Sequence, residues 1–276
     1  MALTGCALFG GLAGAVGTFV LARRRALVAD VAGHATLPGV CLAFLVGEAT
    51  GLGGRTPWLL LLGAGITALI AACCVPALAR LRRVGSDGAT AVSLAFFFGL
   101  GAVLISVVQA HESGAQGGLR KLLFGSAAAM TSSDVRSLIV LAIATLALLA
   151  ALFKEFALLS FDEPYARVAG LPVRALDFLL TLLLVATVVT GLQVAGIVLV
   201  VALVLTPAAA ARQFRGSLHT ITALAAIIGA ASAAIGVLLS RVFEDFPTGS
   251  AMTLTAAVLF LCALAVPARA QRGVSA

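Results

Sequence analysis

Apolar runs of about bilayer length follow one another along the whole chain, broken only by short polar stretches. A membrane-crossing helix needs roughly 20 mostly apolar residues. Nine segments meet that need: 3–21, 28–48, 57–79, 89–109, 135–153, 176–193, 195–211, 219–240 and 249–267. The pattern predicts an all-α polytopic membrane protein with about nine transmembrane helices. Only Gly191-Leu192-Gln193 separates the sixth run from the seventh. If those two merge, or if the first run lies flat, the count becomes eight. No stretch reads as a separate soluble domain, so residues 1–276 are taken as a single transmembrane domain.

Composition agrees. The 276 residues are 62% hydrophobic and 11% charged, with mean hydropathy +1.16, whereas soluble domains are about 45–50% apolar and about 25% charged. A net charge of +7 would suit nucleic acid, but the basic residues fall in short clusters between apolar runs. That is how cytoplasmic loops are marked, and nucleic acid is rejected as a partner. With Arg23–Arg25 inside, alternation also places Arg80, Arg82, Arg83, Lys154, Arg167, Arg174, Arg212, Arg215, Arg269 and Arg272 inside. Arg55, Arg120, Lys121, Arg136 and Arg241 fall outside. The N-terminus is then outside and the C-terminus inside. Five cysteines, in or beside apolar runs, argue against a disulfide framework. The first run leads into a basic cluster without a cleavage pattern and is read as a span.

Inside the second run stand Asp30 and His34. Four residues apart on a helix, they share one face. An acid at such a depth costs roughly 2 to 3 kcal/mol on insertion scales, so the pair is a candidate functional site. From Arg25 to His34 is about 13 Å along a helix axis, which puts the histidine well inside the hydrocarbon zone and Asp30 nearer the inner side. Carboxylate oxygen with neutral imidazole nitrogen suits Mn²⁺, Zn²⁺ or Fe²⁺ without choosing among them. The other reading is a pair hydrogen-bonded to a neighbouring helix. One chain offers two ligands, and a symmetric dimer would offer four around an axial pathway, where binding must stay reversible for an ion to move on.

Further positions are candidates of lesser weight. Pro38 frees a backbone carbonyl one turn beyond His34, to face a pathway or simply to kink the helix for packing. Cys41 follows His34 by seven residues on roughly the same face. Thr206-Pro207 with Ala208–Ala211 reads as a kinked small-residue helix at a gate or seam. Glu48, His111, Glu112 and His219 lie at helix ends or in loops.

The longest polar cytoplasmic stretch is 154–177. Ser160 or Asp162 suits a helix cap, Pro164 a first turn, and Gly170 with Pro172 a helix end. The stretch is either a connector or a knob offered to a cytoplasmic partner. No Gly-x-x-x-x-Gly-Lys-Ser/Thr sequence occurs, so active transport would draw its energy from a partner. No hydrolytic constellation stands out, and the chain is not read as an enzyme.

Three stretches, in this order, resemble the permease subunits of ABC importers for zinc, manganese and iron. The first is the basic cluster with Leu27, Asp30, His34 and Leu37-Pro38-Gly39-Val40. The second is Ser160-Phe161-Asp162 with Ala166 and Gly170-Leu171-Pro172-Val173. The third runs from Gly191-Leu192-Gln193 through Ala195-Gly196-Ile197 to Thr206-Pro207 and Arg212. Leu122-Leu123-Phe124-Gly125-Ser126 with Asp134 is a further match. The resemblance implies a type II importer-like permease in the bacterial inner membrane. It implies a homodimer in lipid, two cytoplasmic ABC ATPase subunits that hydrolyse the ATP, and an extracytoplasmic metal-binding protein. Asp30 and His34 would meet transported Zn²⁺, Mn²⁺ or Fe²⁺, with no cofactor bound permanently. The helix near 160–170, with Phe161, Asp162 and Gly170, would dock on the ATPase. Pro38, Thr206 and Pro207 are assigned to the pathway or gate. The alternative is a permease for iron-siderophore, haem or cobalamin. An intramembrane metal hydrolase would need a third ligand that the spans do not supply. A stand-alone secondary transporter would work without ATP.

Overall fold

The structure is a computed structural model and describes residues 2–51, 56–81, 84–110, 132–214, 216–243 and 247–265. These residues form helices and their connections, without strands. In chain order the helices are α1 (Ala2–Ala22), α2 (Ala26–Ala49), α3 (Pro57–Ala79), α4 (Gly85–Ala110), α5 (Ser132–Ala151), α6 (Phe153–Phe161), α7 (Glu163–Val168), α8 (Val173–Val194), α9 (Ile197–Ala211), α10 (Leu218–Val242) and α11 (Thr248–Ala265). Each of the nine apolar runs has become a helix. Seven are long and apolar enough to cross a membrane, and α5 with α6 forms an eighth candidate bent by 66°. The remaining apolar helix, α9, has 15 residues, about 22 Å of rise.

The break between the sixth and seventh runs lies two residues beyond Gln193, at Ala195-Gly196. Both residues are buried, so no polar loop marks the reversal in the sequence. Gly196 turns the chain with φ +84°, a conformation that side-chain-bearing residues rarely adopt. This tight inner turn explains why two helices appear where the hydrophobic pattern nearly fuses them.

The helix of the fifth run stops at Ala151, two residues short of that run's end, and the chain then swings under the bundle as α6. Phe19 receives Phe153 and Phe156 in edge-to-face contacts, with centroids 5.2 and 6.0 Å apart. His219 stacks on Phe153 at 3.8 Å. Phe156 and Leu159 are fully buried. The first third of 154–177 is thus an anchored helix, and the exposed portion begins near Phe161.

Burial separates helices that the sequence leaves alike. Most of α1 and α2 is covered by neighbours, while α3, α4 and α11 leave most of their length open. α1 packs closely along α10, where a side chain at Gly14 would collide with the Ala225 backbone. Small residues allow such approach in lipid, where van der Waals contact must hold helices together. α2 makes its principal contacts with α3 and α4 and touches α8 and α9 as well.

Candidate metal site and cytoplasmic segment

Three sides of α2 are committed to packing. Val31, Ala35, Ala71, Val75 and Phe97 form one cluster with α3 and α4, and Ala32 meets Ala68, Ala72 and Val185. Gly39 lies directly on Gly63 of α3, where a methyl group on either would strike the other's backbone. Thr67 braces this crossing by donating its hydroxyl to the Ala35 carbonyl at 2.7 Å. The remaining stripe carries Leu27, Asp30 and His34, all at least partly exposed.

Asp30 and His34 point the same way. Oδ1 of Asp30 is 3.6 Å from Nε2 of His34, and their side chains are 38% and 29% exposed. That separation is too long for a good hydrogen bond. It is close to the edge of a tetrahedral site, about 3.4 Å when both bonds to the ion are near 2.1 Å. The imidazole meets the ring of Phe98 edge-on, with centroids 5.4 Å apart, which restricts its rotation. Among the described residues, no three His, Cys, Asp or Glu side chains gather into a metal-holding group. One chain therefore presents two candidate donors at this position.

Farther along the stripe, α4 closes over α2. Pro38 is buried, and a side chain at Gly101 would collide with Leu37 and Pro38. Cys41, expected on the His34 face, is fully buried in an apolar cluster with Val40, Phe44 and Leu104. Its thiol is packed as a small hydrophobe, away from the pair. Thr206 is half-buried and Pro207 buried, on α9. Glu48 is exposed near the end of α2. His111, Glu112 and the 122–126 match lie outside the described residues, as does the side chain of Asp134.

The polar segment 154–177 folds as its residues predict. Asp162, rather than Ser160, caps α7 by accepting from the Tyr165 N–H at 2.9 Å; Ser160 donates back to the Phe156 carbonyl. Pro164 occupies the first turn, and Gly170, at φ +79°, turns the chain out of it. Phe161, Tyr165 and Val168 are exposed at 73%, 59% and 87%, an apolar face outside any core. Asp162→Ala is expected to cost about 1 kcal/mol of local helix stability. Amide hydrogen exchange over 163–168 would rise accordingly, and unchanged exchange would show that the cap does not hold the helix.

Sequence reasoning missed how this segment is tied down. Arg23, taken as a topology marker and as part of the basic cluster before α2, donates to the Leu159 carbonyl at 2.8 Å, to Glu163 at 3.0 Å and to Asp177 at 2.9 Å. Arg25 reaches the other Asp177 oxygen at 2.8 Å. Glu163 also pairs with Arg167. Hydrogen bonds from Arg167 and then Arg23 hold its carboxyl below the usual glutamate range. A depressed acid stabilises the fold above its ordinary range and loses that contribution as pH falls through the lowered value. The tie is therefore intact at neutral pH. Asp177 was the one available signal, an acid at the start of an apolar run otherwise flanked by arginines.

Residues 1–267 match the ABC 3 transport family. The manganese transport system membrane protein MntC of Bacillus subtilis is 38% identical over 259 residues, which are 94% of this chain and 58% of that protein. The chain thus spans less than two thirds of that relative's length. The zinc transport system membrane protein TroC of Treponema pallidum is 36% identical over 248 residues, covering 90% of this chain and 82% of the relative. Among solved structures, PsaBC from Streptococcus pneumoniae in complex with Fab aligns with a TM-score of 0.82 at 32% identity, over 95% of this chain and 89% of that one. Family, relatives and fold agree along nearly the whole sequence, and the chain belongs to the ABC 3 transport family as a multi-pass permease subunit of the cell membrane, not an enzyme.

Proposed function

We propose that the chain forms the membrane pathway of an ATP-driven importer for a divalent transition metal ion, Mn²⁺ or Zn²⁺ foremost. The observation that carries this reading is the Asp30–His34 pair, 3.6 Å apart and partly exposed on an otherwise packed helix. Two donors are too few to replace a hydration shell. A second copy of the chain, related by a two-fold axis, brings two more, and four reversible ligands suit an ion in transit. One relative is named for manganese and another for zinc, and the oxygen–nitrogen set accepts both, as it does Fe²⁺.

In this reading two cytoplasmic ATPase subunits supply the energy and an extracytoplasmic binding protein delivers the ion. The segment 154–177 couples them to the pathway, with Phe161 on the docking face, Asp162 capping α7 and Gly170 ending it. Pro38, covered by α4, and Thr206-Pro207 within α9 belong to the moving wall around the ion. Cells producing the whole transporter should take up labelled Mn²⁺ or Zn²⁺, and an excess of the free ion should suppress that uptake. Competition by an iron-siderophore complex, with free ions ineffective, would instead favour a chelate permease.

A further inference from the structure

At the cytoplasmic end, the α1–α2 corner, the last turn of α3, α7 and the start of α8 enclose a cavity of about 920 Å³. Arg23, Arg25, Arg80, Arg167 and Arg174 line it. These five come from three separate regions of the chain, each placed inside by the charge pattern, and the fold brings them to one spot. Glu163 and Asp177 are the acids in the lining, so the cavity carries three surplus positive charges. The acids are engaged by Arg23, Arg25 and Arg167. Arg80 and Arg174 are exposed and have no ion-pair partner among the described residues.

We propose that this cavity binds a phosphate ester, with Arg80 and Arg174 as its principal ligands and the headgroup of an anionic phospholipid as its natural source. Guanidinium groups bind phosphate oxygens in paired hydrogen bonds. Arg80 caps the end of one spanning helix and Arg174 lies in the first turn of another, so both stand at headgroup level. Pro76, Pro172 and Val173 add an apolar rim that fits the glycerol and upper acyl carbons of a lipid. The inner leaflet is the anionic one, and basic pockets between spanning helices on that side suit such headgroups. A soluble phosphate has the same anionic chemistry but no use for the apolar rim. The acidic surface of a docked protein is the competing occupant; the apolar Phe161–Tyr165–Val168 face is the better protein contact.

The full-length chain, purified and exchanged into phosphatidylcholine vesicles containing a minority of phosphatidylglycerol, tests this by native mass spectrometry of retained lipid. Wild type should retain phosphatidylglycerol preferentially. Each arginine near an anionic surface is worth about fivefold in affinity, so Arg80→Gln with Arg174→Gln should lower retention roughly 25-fold. Lysine at both positions should keep most of it, and Arg24→Gln, outside the cavity, should change nothing. If inorganic phosphate binds in an Arg80- and Arg174-dependent way while no lipid is retained, the phosphate site stands and its source is soluble. The proposal falls if wild type shows no preference and binds no phosphate, or if the double glutamine variant retains lipid as wild type does. It also falls if that variant loses its ATPase subunit on purification while lipid retention is unchanged, which would assign the arginines to protein docking.

Discussion

Metal uptake is expected to stop in Asp30→Ala and in His34→Ala, while the permease remains folded and assembled. Each change removes one of two donors per chain, and two of four in a symmetric pair. Even outer-shell changes at metal sites cost about 10–100-fold in affinity or activity, so loss of a ligand should exceed about 100-fold in uptake rate. Stability should move the other way. Neither side chain is buried, and their 3.6 Å separation is not a hydrogen bond whose loss would orphan a partner. Removing the acid relieves a membrane insertion cost of roughly 2 to 3 kcal/mol. The Asp30→Ala permease should therefore melt in detergent no earlier than wild type. If the pair instead served to join helices, both variants would lose thermal stability and uptake together. Full uptake by both variants would defeat the site assignment outright.

The helical segmentation was legible because lipid imposes one length on every span. Even the α8–α9 pair could be read, although its turn at Ala195-Gly196 offers no polar residue to mark it. The candidate pair stood out for the opposite reason, since two ionisable side chains interrupt an apolar run. What could not be read was the lateral arrangement. In a soluble protein an apolar stripe shows which face is buried, but helices surrounded by lipid and by each other are apolar all round. Nothing in α2 announced that it lies among four other helices. Helical pitch put Cys41 beside His34, yet α4 covers that end of the stripe and takes the thiol into its packing. The turn beneath α5 was hidden as well. Phe153 read as the end of a span and Phe156 as part of a polar loop, and only their contacts with Phe19 reveal a helix tucked under the bundle. Most telling is Arg23, whose charge reports topology in the sequence while its three hydrogen bonds in the fold tie four helices together.

That arginine carries the second large expectation: Arg23→Gln should separate ATP hydrolysis from metal uptake without dismantling the complex. Its guanidinium, 11% exposed, joins the α1–α2 corner to the Leu159 carbonyl in α6, to Glu163 in α7 and to Asp177 in α8. Seven residues beyond the corner stands Asp30. In the proposed coupling, a push on α7 from a docked ATPase would reach α2 chiefly through this side chain. In Arg23→Gln the acids keep Arg25 and Arg167 as partners, so no bare charge is left behind. The 3–5 kcal/mol cost typical of breaking a buried pair is then reduced, to about 2 kcal/mol, by the partial exposure. The permease should still assemble. Changes along a coupling route alter it by about 0.5–2 kcal/mol, so ions imported per ATP should fall roughly 2- to 30-fold in reconstituted vesicles, with hydrolysis continuing. Arg23→Lys, which keeps the charge but loses the planar fork, should fall between. Phe161→Ala supplies the contrast, because its exposed ring touches no core. Its loss should weaken attachment of the ATPase itself and lower both hydrolysis stimulation and uptake. An Arg23→Gln transporter that melts early yet imports the normal number of ions per ATP would reduce Arg23 to a structural clamp.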